Sequence, residues 1–162
     1  SDMGVLTGWD GLPTDFASPS FQSSWSGEPL PSRVSCDKNY VALTIGSQIS
    51  LCPRDALPDV NLCTSVTSEF FSKSLSSTLF ADGGFFVADR GNNQVHGWRF
   101  IDNVLSGKDP DLLLGASSYS DIAPKINSDT LFWPATLTFD GHYLWVGEYK
   151  FSGRLLGYEM VF

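Results

Sequence analysis

The segment FFVADRGNNQVHGW, residues 85–98, consists of two apolar runs separated by a polar turn. Asp89 ends the first run, RGNN follows at 90–93, and Trp98 closes the second run. Gly and Asn tolerate the left-handed backbone that tight corners between strands require. We therefore predict that residues 90–93 connect two antiparallel strands. A second question is whether the side chains of this corner also bind a ligand.

The whole composition favours a globular β protein. The 162 residues suit one domain, with 42% hydrophobic and 14% aromatic residues. No stretch of ten or more residues combines a helical period with helix caps, whereas short β-prone runs alternate with Gly, Asn, Asp, Pro and Ser. A formal net charge of −8 repels phosphate backbones, so nucleic acid is not an expected partner. No apolar run approaches the roughly 18–20 residues of a membrane helix, so no membrane span is expected.

The corner segment belongs to a repeat. Three stretches show the same order of short strand, Asp-containing turn, strand, polar turn and longer strand, and they begin at Ser32, Ser77 and Ala135. The Asp residues of their first turns are Asp37, Asp82 and Asp140. Blade-type repeats run about 40–50 residues, with insertions in loops. An apolar strand precedes each stretch, which gives four strands per unit, with units at approximately 4–52, 53–105 and 106–162.

The second unit carries a family resemblance. LFADGGFFVADRGNNQVHGW resembles an NHL repeat, whose core reads Asp-Gly, apolar-Val-Ala-Asp, a Gly-Asn-Asn turn and a Val-containing strand. The third unit replaces Ala-Asp by Gly147-Glu148 and lacks the Asn pair, and the first unit lacks the Asp altogether. The resemblance implies an all-β fold, a β-propeller with blades of four antiparallel strands, three blades in this chain.

Three blades do not close a propeller, because propellers have about four to eight. One solution is a second copy of the chain, with each N-terminal strand (GVLTG) completing a blade begun by the other copy, to give a six-bladed ring. The other solution is flanking sequence that supplies the missing blades. We favour the homodimer, because open blade faces are otherwise exposed to water.

One face of such a ring would carry the segments that lead into each unit and the corners after each second strand. The corner residues and two tryptophans are the predicted ligand-binding residues: Trp25, Asp89, Arg90, Asn92, Asn93, Trp133, Glu148 and Lys150. Further aromatic residues are predicted in the lead-in loops: Trp9, Phe16, Phe21, Phe70, Phe71, Tyr119 and Phe132. Aromatic rings with Asp, Asn and Arg suit sugars or peptides. The competing interpretation is that they only fill space between blades.

No catalytic arrangement is predicted. The chain has two histidines, His96 and His142, at positions that do not suit a shared site, and it lacks GxSxG, P-loop and HExxH motifs. Similarity to propeller lactonases implies, as an alternative, a divalent cation held by oxygen ligands. Asp89, Asn93 and Glu148 are the type of ligands that calcium prefers.

The sequence therefore favours a non-enzymatic binding or scaffold module that presents a loop-rich propeller face to a protein, peptide or glycan, without a cofactor. The alternatives are a metal-dependent, lactonase-like hydrolase and a purely structural repeat of a larger surface protein.

Composition and cysteine content both bear on the cellular compartment of the protein. Low Lys content with many Ser, Thr and Gly residues favours an extracellular or cell-surface location. Cys52 and Cys63 can form a disulfide in an oxidising compartment, but buried free thiols are the favoured interpretation for the cysteines, including Cys36.

Overall fold

The structure is a computed structural model that describes residues 3–8, 21–26, 32–57 and 59–161. Its described part is all-β, with thirteen strands and one five-residue helix, α1 (Ile101–Leu105). The expected all-β class is confirmed. Every strand pairing is antiparallel, as expected for strands joined by tight turns.

The strands form four sheets. An N-terminal ribbon pairs β1 (Met3–Gly8) with β2 (Phe21–Ser26). The first sheet consists of β3 (Arg33–Cys36), β4 (Tyr40–Ile45), β5 (Gln48–Pro53) and β6 (Thr64–Val66). The middle sheet consists of β7 (Leu75–Ala81), β8 (Gly84–Asp89), β9 (Gln94–Trp98) and β10 (Leu112–Leu114). The last sheet consists of β11 (Pro134–Phe139), β12 (Tyr143–Glu148) and β13 (Leu155–Glu159).

The three larger sheets contain the three repeated stretches of the sequence, and in each sheet consecutive strands are neighbours. The short strands β6 and β10 lie where the sequence predicted the outer strands of the second and third units, and each pairs with the sheet that precedes it in the chain. The predicted corner at 90–93 connects β8 to β9 and is confirmed.

The first turn of each sheet depends on its aspartate. Asp37 accepts hydrogen bonds from the backbone N–H groups two and three residues later at 2.7 and 2.6 Å, and Asp140 does the same at 2.9 and 2.8 Å. The middle sheet instead has positive φ at Asp82 (50°) and Gly83 (80°), which is the two-residue hairpin geometry. The repeat therefore preserves the turn position, while its local geometry varies.

The N-terminal ribbon differs from the prediction. The segment GVLTG was expected to form the outer strand of a blade. Instead, β1 pairs with β2 in a separate two-stranded sheet. Phe21 and Trp25, expected in a loop, are part of strand β2. The segment FQSSWS alternates apolar or aromatic with polar residues too weakly to be recognised as a strand, so its pairing partner could not be read from local sequence. Trp9 and Phe16 lie outside the described residues.

The first strands of the three larger sheets lie next to each other. Ser35 on β3 shares a hydrogen bond with Thr78 on β7, with 2.7 Å between their oxygens. The Ser76 hydroxyl of β7 donates to the Pro134 carbonyl of β11 at 2.6 Å. The middle sheet is thus flanked by the other two.

Two hydrophobic cores fill the spaces on either side of the middle sheet. The first core joins it to the first sheet and includes Ala42, Ile49, Leu51, Phe85, Val87 and Trp98. The second joins it to the last sheet and includes Phe86, Ala88, Val95, Leu131, Leu144 and Val146. All residues of β8 and β9 are buried, which explains the continuous apolar run GFFVA where an alternating pattern would mark a one-sided strand.

Cys52 and Cys63 form a disulfide across an eleven-residue separation, so the favoured interpretation of two buried free thiols is wrong. The short 3₁₀ turns Arg54–Ala56 and Val60–Leu62 fold the intervening chain back and bring the two residues together. Cys36 is a free, exposed thiol. No helix in the described ranges is long and apolar enough to cross a membrane.

Candidate functional site

The predicted site residues of the middle and last sheets gather at one end of these sheets, around two corners. The first corner, residues 90–93, follows β8, and the second corner, residues 149–154, follows β12. Each is tied to the segment that leads into its own sheet. The Arg90 N–H donates to the Ser74 carbonyl at 3.1 Å, and the Tyr149 N–H donates to the Trp133 carbonyl at 3.2 Å.

Asp89 organises the first corner from the interior. Its side chain is fully buried and accepts hydrogen bonds from the Gly91 and Asn92 N–H groups, at 3.0 and 3.1 Å. It also accepts from the Ser72 N–H at 2.7 Å and from the Ser72 hydroxyl. Both carboxylate oxygens are therefore occupied by protein donors, and they hold the lead-in segment against the corner.

The two asparagines of this corner also bond to the protein. The Asn92 side-chain amide donates to the Phe70 carbonyl at 2.9 Å. Asn93, buried and at φ 57°, donates to the Ile122 carbonyl and accepts from the Trp133 N–H, both at 2.9 Å. Asn93 thus connects the first corner to the segment that positions Trp133.

Glu148 organises the second corner. Its buried carboxylate accepts from the Arg154 guanidinium at 2.7 and 2.8 Å and from the Phe132 N–H at 2.7 Å. Burial raises the pKa of Glu148. Hydrogen bonds from Arg154 and from the Phe132 N–H, together with the positive charge of Arg154, lower it by more, so the pKa of Glu148 lies below the usual range.

Asp89, Asn93 and Glu148, the predicted type of calcium ligands, use their oxygens to accept hydrogen bonds from protein N–H and O–H groups. Those donors stand where a cation would have to bind. In the part of the chain that the structure describes, no three His, Cys, Asp or Glu side chains are grouped to hold a metal ion.

Three of the predicted residues, Arg90, Trp133 and Lys150, line one cleft of about 340 Å³ between the two corners. Ser74, Gly91 and Tyr149 complete its walls. We refer to it as the corner cleft. Sequence reasoning missed Ser74, Gly91 and Tyr149. Tyr149 lies between two predicted residues and could have been found, whereas nothing in the run SKSLSS singles out Ser74.

The cations of the corner cleft lie against neutral groups. Arg90 donates from Nε and Nη2 to the Ser74 hydroxyl oxygen at 3.2 and 2.8 Å. Lys150 Nζ lies 5.2 Å from the centre of the Trp133 ring and 5.8 Å from that of Tyr149, within the range of cation–π attraction. Within the described residues, neither cation forms an ion pair with a carboxylate.

The predicted lead-in aromatics whose side chains are described pack against other aromatic rings. Phe70 stacks on Tyr119 with 4.0 Å between ring centres, and Phe71 packs against Trp98 of the first core. Phe132 contacts Trp133 and Phe151. Trp25 lies on β2.

The histidines do not form a shared site. His96 is fully buried on β9, with Nε2 3.5 Å from Asp89 Oδ2, and its ring stacks on that of Tyr119. His142 lies in the exposed first turn of the last sheet, 3.2 Å from a Glu159 oxygen.

Neither a protein-family model nor a curated protein matches the chain. Solved structures with a similar fold include two computationally designed proteins. Ika4 is 9% identical, with a TM-score of 0.53 over 89% of this chain and 74% of its own. Ika8 is 10% identical, with a TM-score of 0.52 over 88% of this chain and 36% of its own. At these identities the likeness concerns the fold alone, and the NHL resemblance rests on the residues quoted above.

Proposed function

We propose that the chain is an NHL-like propeller module without catalytic activity that binds a protein, peptide or glycan partner in the corner cleft. The observation that carries the proposal is the pair of cations in this cleft, Arg90 and Lys150, which have no carboxylate partner among the described residues. The half-buried ring of Trp133 and the exposed ring of Tyr149 lie beside them. A cleft lined by two cations and no acid is unusual in a chain of net charge −8.

The rigidity of the cleft also supports a binding role. Trp133 and Lys150 have φ of 51° and 61°, which bulky residues rarely adopt and which costs free energy. Asn93 and the Tyr149 N–H hold Trp133 in this conformation. A site fixed before its ligand arrives loses less entropy on binding.

Two observations support the propeller part of the proposal. The three larger sheets are antiparallel, and the first strand of the middle sheet lies next to the first strands of the other two. In the middle and last sheets, the second strand ends in a carboxylate, that of Asp89 or Glu148. The proposed second partner is another copy of the chain. The last sheet has three strands, and the edge of β13 is where a strand of the second copy would add. Leu155 on that strand is 66% exposed.

Light scattering coupled to size exclusion tests the second-copy partner. A mass of twice that of the chain, stable to dilution, is expected for the closed ring. A monomer would disprove self-association and leave the cleft proposal in place, because all cleft residues belong to one chain.

Ligand binding is tested by ¹H–¹⁵N spectra of the chain mixed with a hexapeptide library and, separately, a library of di- to tetrasaccharides. Binding compounds should shift the resonances of residues 90–91 and 149–150. Tyr149→Ala should weaken binding about tenfold. Phe100→Ala is the matched control, because Phe100 is a comparably exposed ring outside the cleft, at 64% against 52% for Tyr149. If neither library shifts these resonances, the proposal is wrong for peptide and glycan partners.

A further inference from the structure

The corner cleft is more specific than a general binding surface, because its charges have one sign. Its six lining residues include two cations and no acid. Both cations are exposed, and Lys73, which is also exposed, precedes the lining residue Ser74. Arg90 uses Nε and Nη2 on the Ser74 hydroxyl, while Nη1 has no acceptor among the described residues. A ligand with a carboxylate can therefore reach free donors without displacing a protein group.

The polar groups around the cleft offer few acceptors. Asp89, Asn93 and Glu148 would be natural acceptors for sugar hydroxyls, but the side-chain oxygens of each already accept hydrogen bonds from protein groups. A neutral sugar ring needs acceptors as well as donors, because every hydroxyl carries a hydrogen. The charged groups of the cleft, on Arg90 and Lys150, donate hydrogen bonds and accept none, so they fit a ligand rich in acceptors.

Apolar surface lies beside the charges. Tyr149 is 52% exposed, and Phe151, which contacts the Trp133 ring with 5.8 Å between ring centres, is 75% exposed. Exposed rings next to cations suit a ligand in which an apolar side chain adjoins carboxylates. A cleft of about 340 Å³ holds a few side chains.

We infer that the corner cleft binds an acidic peptide segment, with Glu or Asp carboxylates on Arg90 and Lys150 and an apolar side chain on the rings of Trp133 and Tyr149. The inference rests on the proposed binding function and names its ligand class. A nucleic acid fits less well, because the net charge of −8 opposes a long phosphate backbone and only a few cations are gathered here.

The test uses three arrays probed with the labelled chain: peptides of varied net charge, neutral and carboxylated oligosaccharides, and single-stranded RNA oligomers. The wild-type chain should select peptides with at least two acidic residues beside Phe, Leu or Trp. Arg90→Gln/Lys150→Gln should reduce this signal at least about tenfold, since charge-assisted hydrogen bonds are lost. Lys38→Gln/Arg54→Gln, which removes the same charge from exposed positions of the first sheet, should leave it within about twofold.

The remaining outcomes separate the inference from the proposed function. Selection of neutral peptides or of oligosaccharides that still depends on Arg90 and Lys150 overturns the ligand class and leaves the binding function standing, whereas selection of RNA overturns both. Equal loss in both double variants shows a general charge effect and overturns the assignment to the cleft. Absence of wild-type signal on every array overturns both, provided the circular dichroism of the labelled chain shows folded β structure.

Discussion

The corner of the middle sheet and the corner of the last sheet perform the same structural task with different chemistry. In both, a carboxylate at the end of the second strand binds the segment that leads into the first strand: Asp89 holds Ser72, and Glu148 holds Phe132. Asp89 is satisfied by neutral donors in the interior, whereas Glu148 is paired with Arg154, which is 23% exposed. A repeat can thus keep a connection while the surrounding residues change how the charge is compensated.

The largest effect on stability is expected for removal of the Asp89 carboxylate, and removal of the Glu148 carboxylate should cost less. Asp89→Ala leaves the donors of Ser72, Gly91 and Asn92 unsatisfied in a buried place, and we expect a loss of at least about 3 kcal/mol in the free energy of unfolding. Glu148→Ala should cost about 2 kcal/mol, because Arg154 keeps two carbonyl acceptors and reaches water. Urea unfolding measures both.

If Asp89→Ala does not fold, Asp89→Asn retains one acceptor oxygen and provides the comparison. An equal or larger loss in Glu148→Ala would show that the charged pair, and not the neutral network, is the stronger connection.

The glycines of the two corners should differ in a similar way. A Cβ on Gly91 would lie 2.2 Å from the Ser72 hydroxyl oxygen and 2.6 Å from its Cβ, and Ser72 is held by Asp89. Gly91→Ala should therefore cost about 2 kcal/mol through overpacking. Gly153 has φ +55° and no atom within 4 Å of an added Cβ, so Gly153→Ala should cost about 1 kcal/mol of backbone strain alone. The same urea experiment tests the order, and a smaller loss for Gly91→Ala would mean that the Ser72 contact yields readily.

Acid should weaken the last sheet through its carboxylates. Hydrogen bonds from the Tyr143 N–H, the Trp145 indole and the His142 N–H lower the pKa of Asp140 from 3.8 to about 2, and the pKa of Glu148 is also below its usual 4.5. A carboxyl group whose pKa is lowered by folding contributes stability above its unfolded pKa and loses it as the pH falls through the folded pKa.

We therefore expect the free energy of unfolding to decline from about pH 4.5 towards pH 2. Asp140→Asn should decline less steeply over this range, as followed by urea unfolding at a series of pH values. An unchanged slope would show that the exposed Asp140 contributes little.

Local chemistry explains which parts of the fold could be predicted. The Asp-Gly turns and the Gly-Asn-Asn corner specify their conformation within a few residues, so the hairpins of the larger sheets were found. The pairing of β1 with β2 and the disulfide between Cys52 and Cys63 depend on how the chain closes over longer segments, which a strand pattern does not encode.

In the candidate site, too, some features follow from local sequence and others depend on distant residues. Residue type and position, in a corner or in a lead-in segment, predicted Arg90, Lys150 and Trp133, which line the cleft. The polar contacts of Asp89, Asn93 and Glu148 are set by groups 17, 40 and 16 residues away, at Ser72, Trp133 and Phe132. A sequence motif could not show that these side chains would already be engaged.

Because the middle sheet is buried on both faces, its unfolding is coupled to that of both neighbouring sheets. Each of the two cores consists of one face of this sheet and one face of a flanking sheet. The first and last sheets can each separate from the middle sheet at the expense of one core, but opening β8 and β9 requires the loss of both. The amides of these two strands should therefore exchange with solvent hydrogen only in the global unfolding event. The corner cleft lies at the boundary between the middle and last sheets, so it is lost when the last sheet separates from the middle sheet. A ligand bound in the cleft would therefore oppose this separation and make the two sheets unfold together.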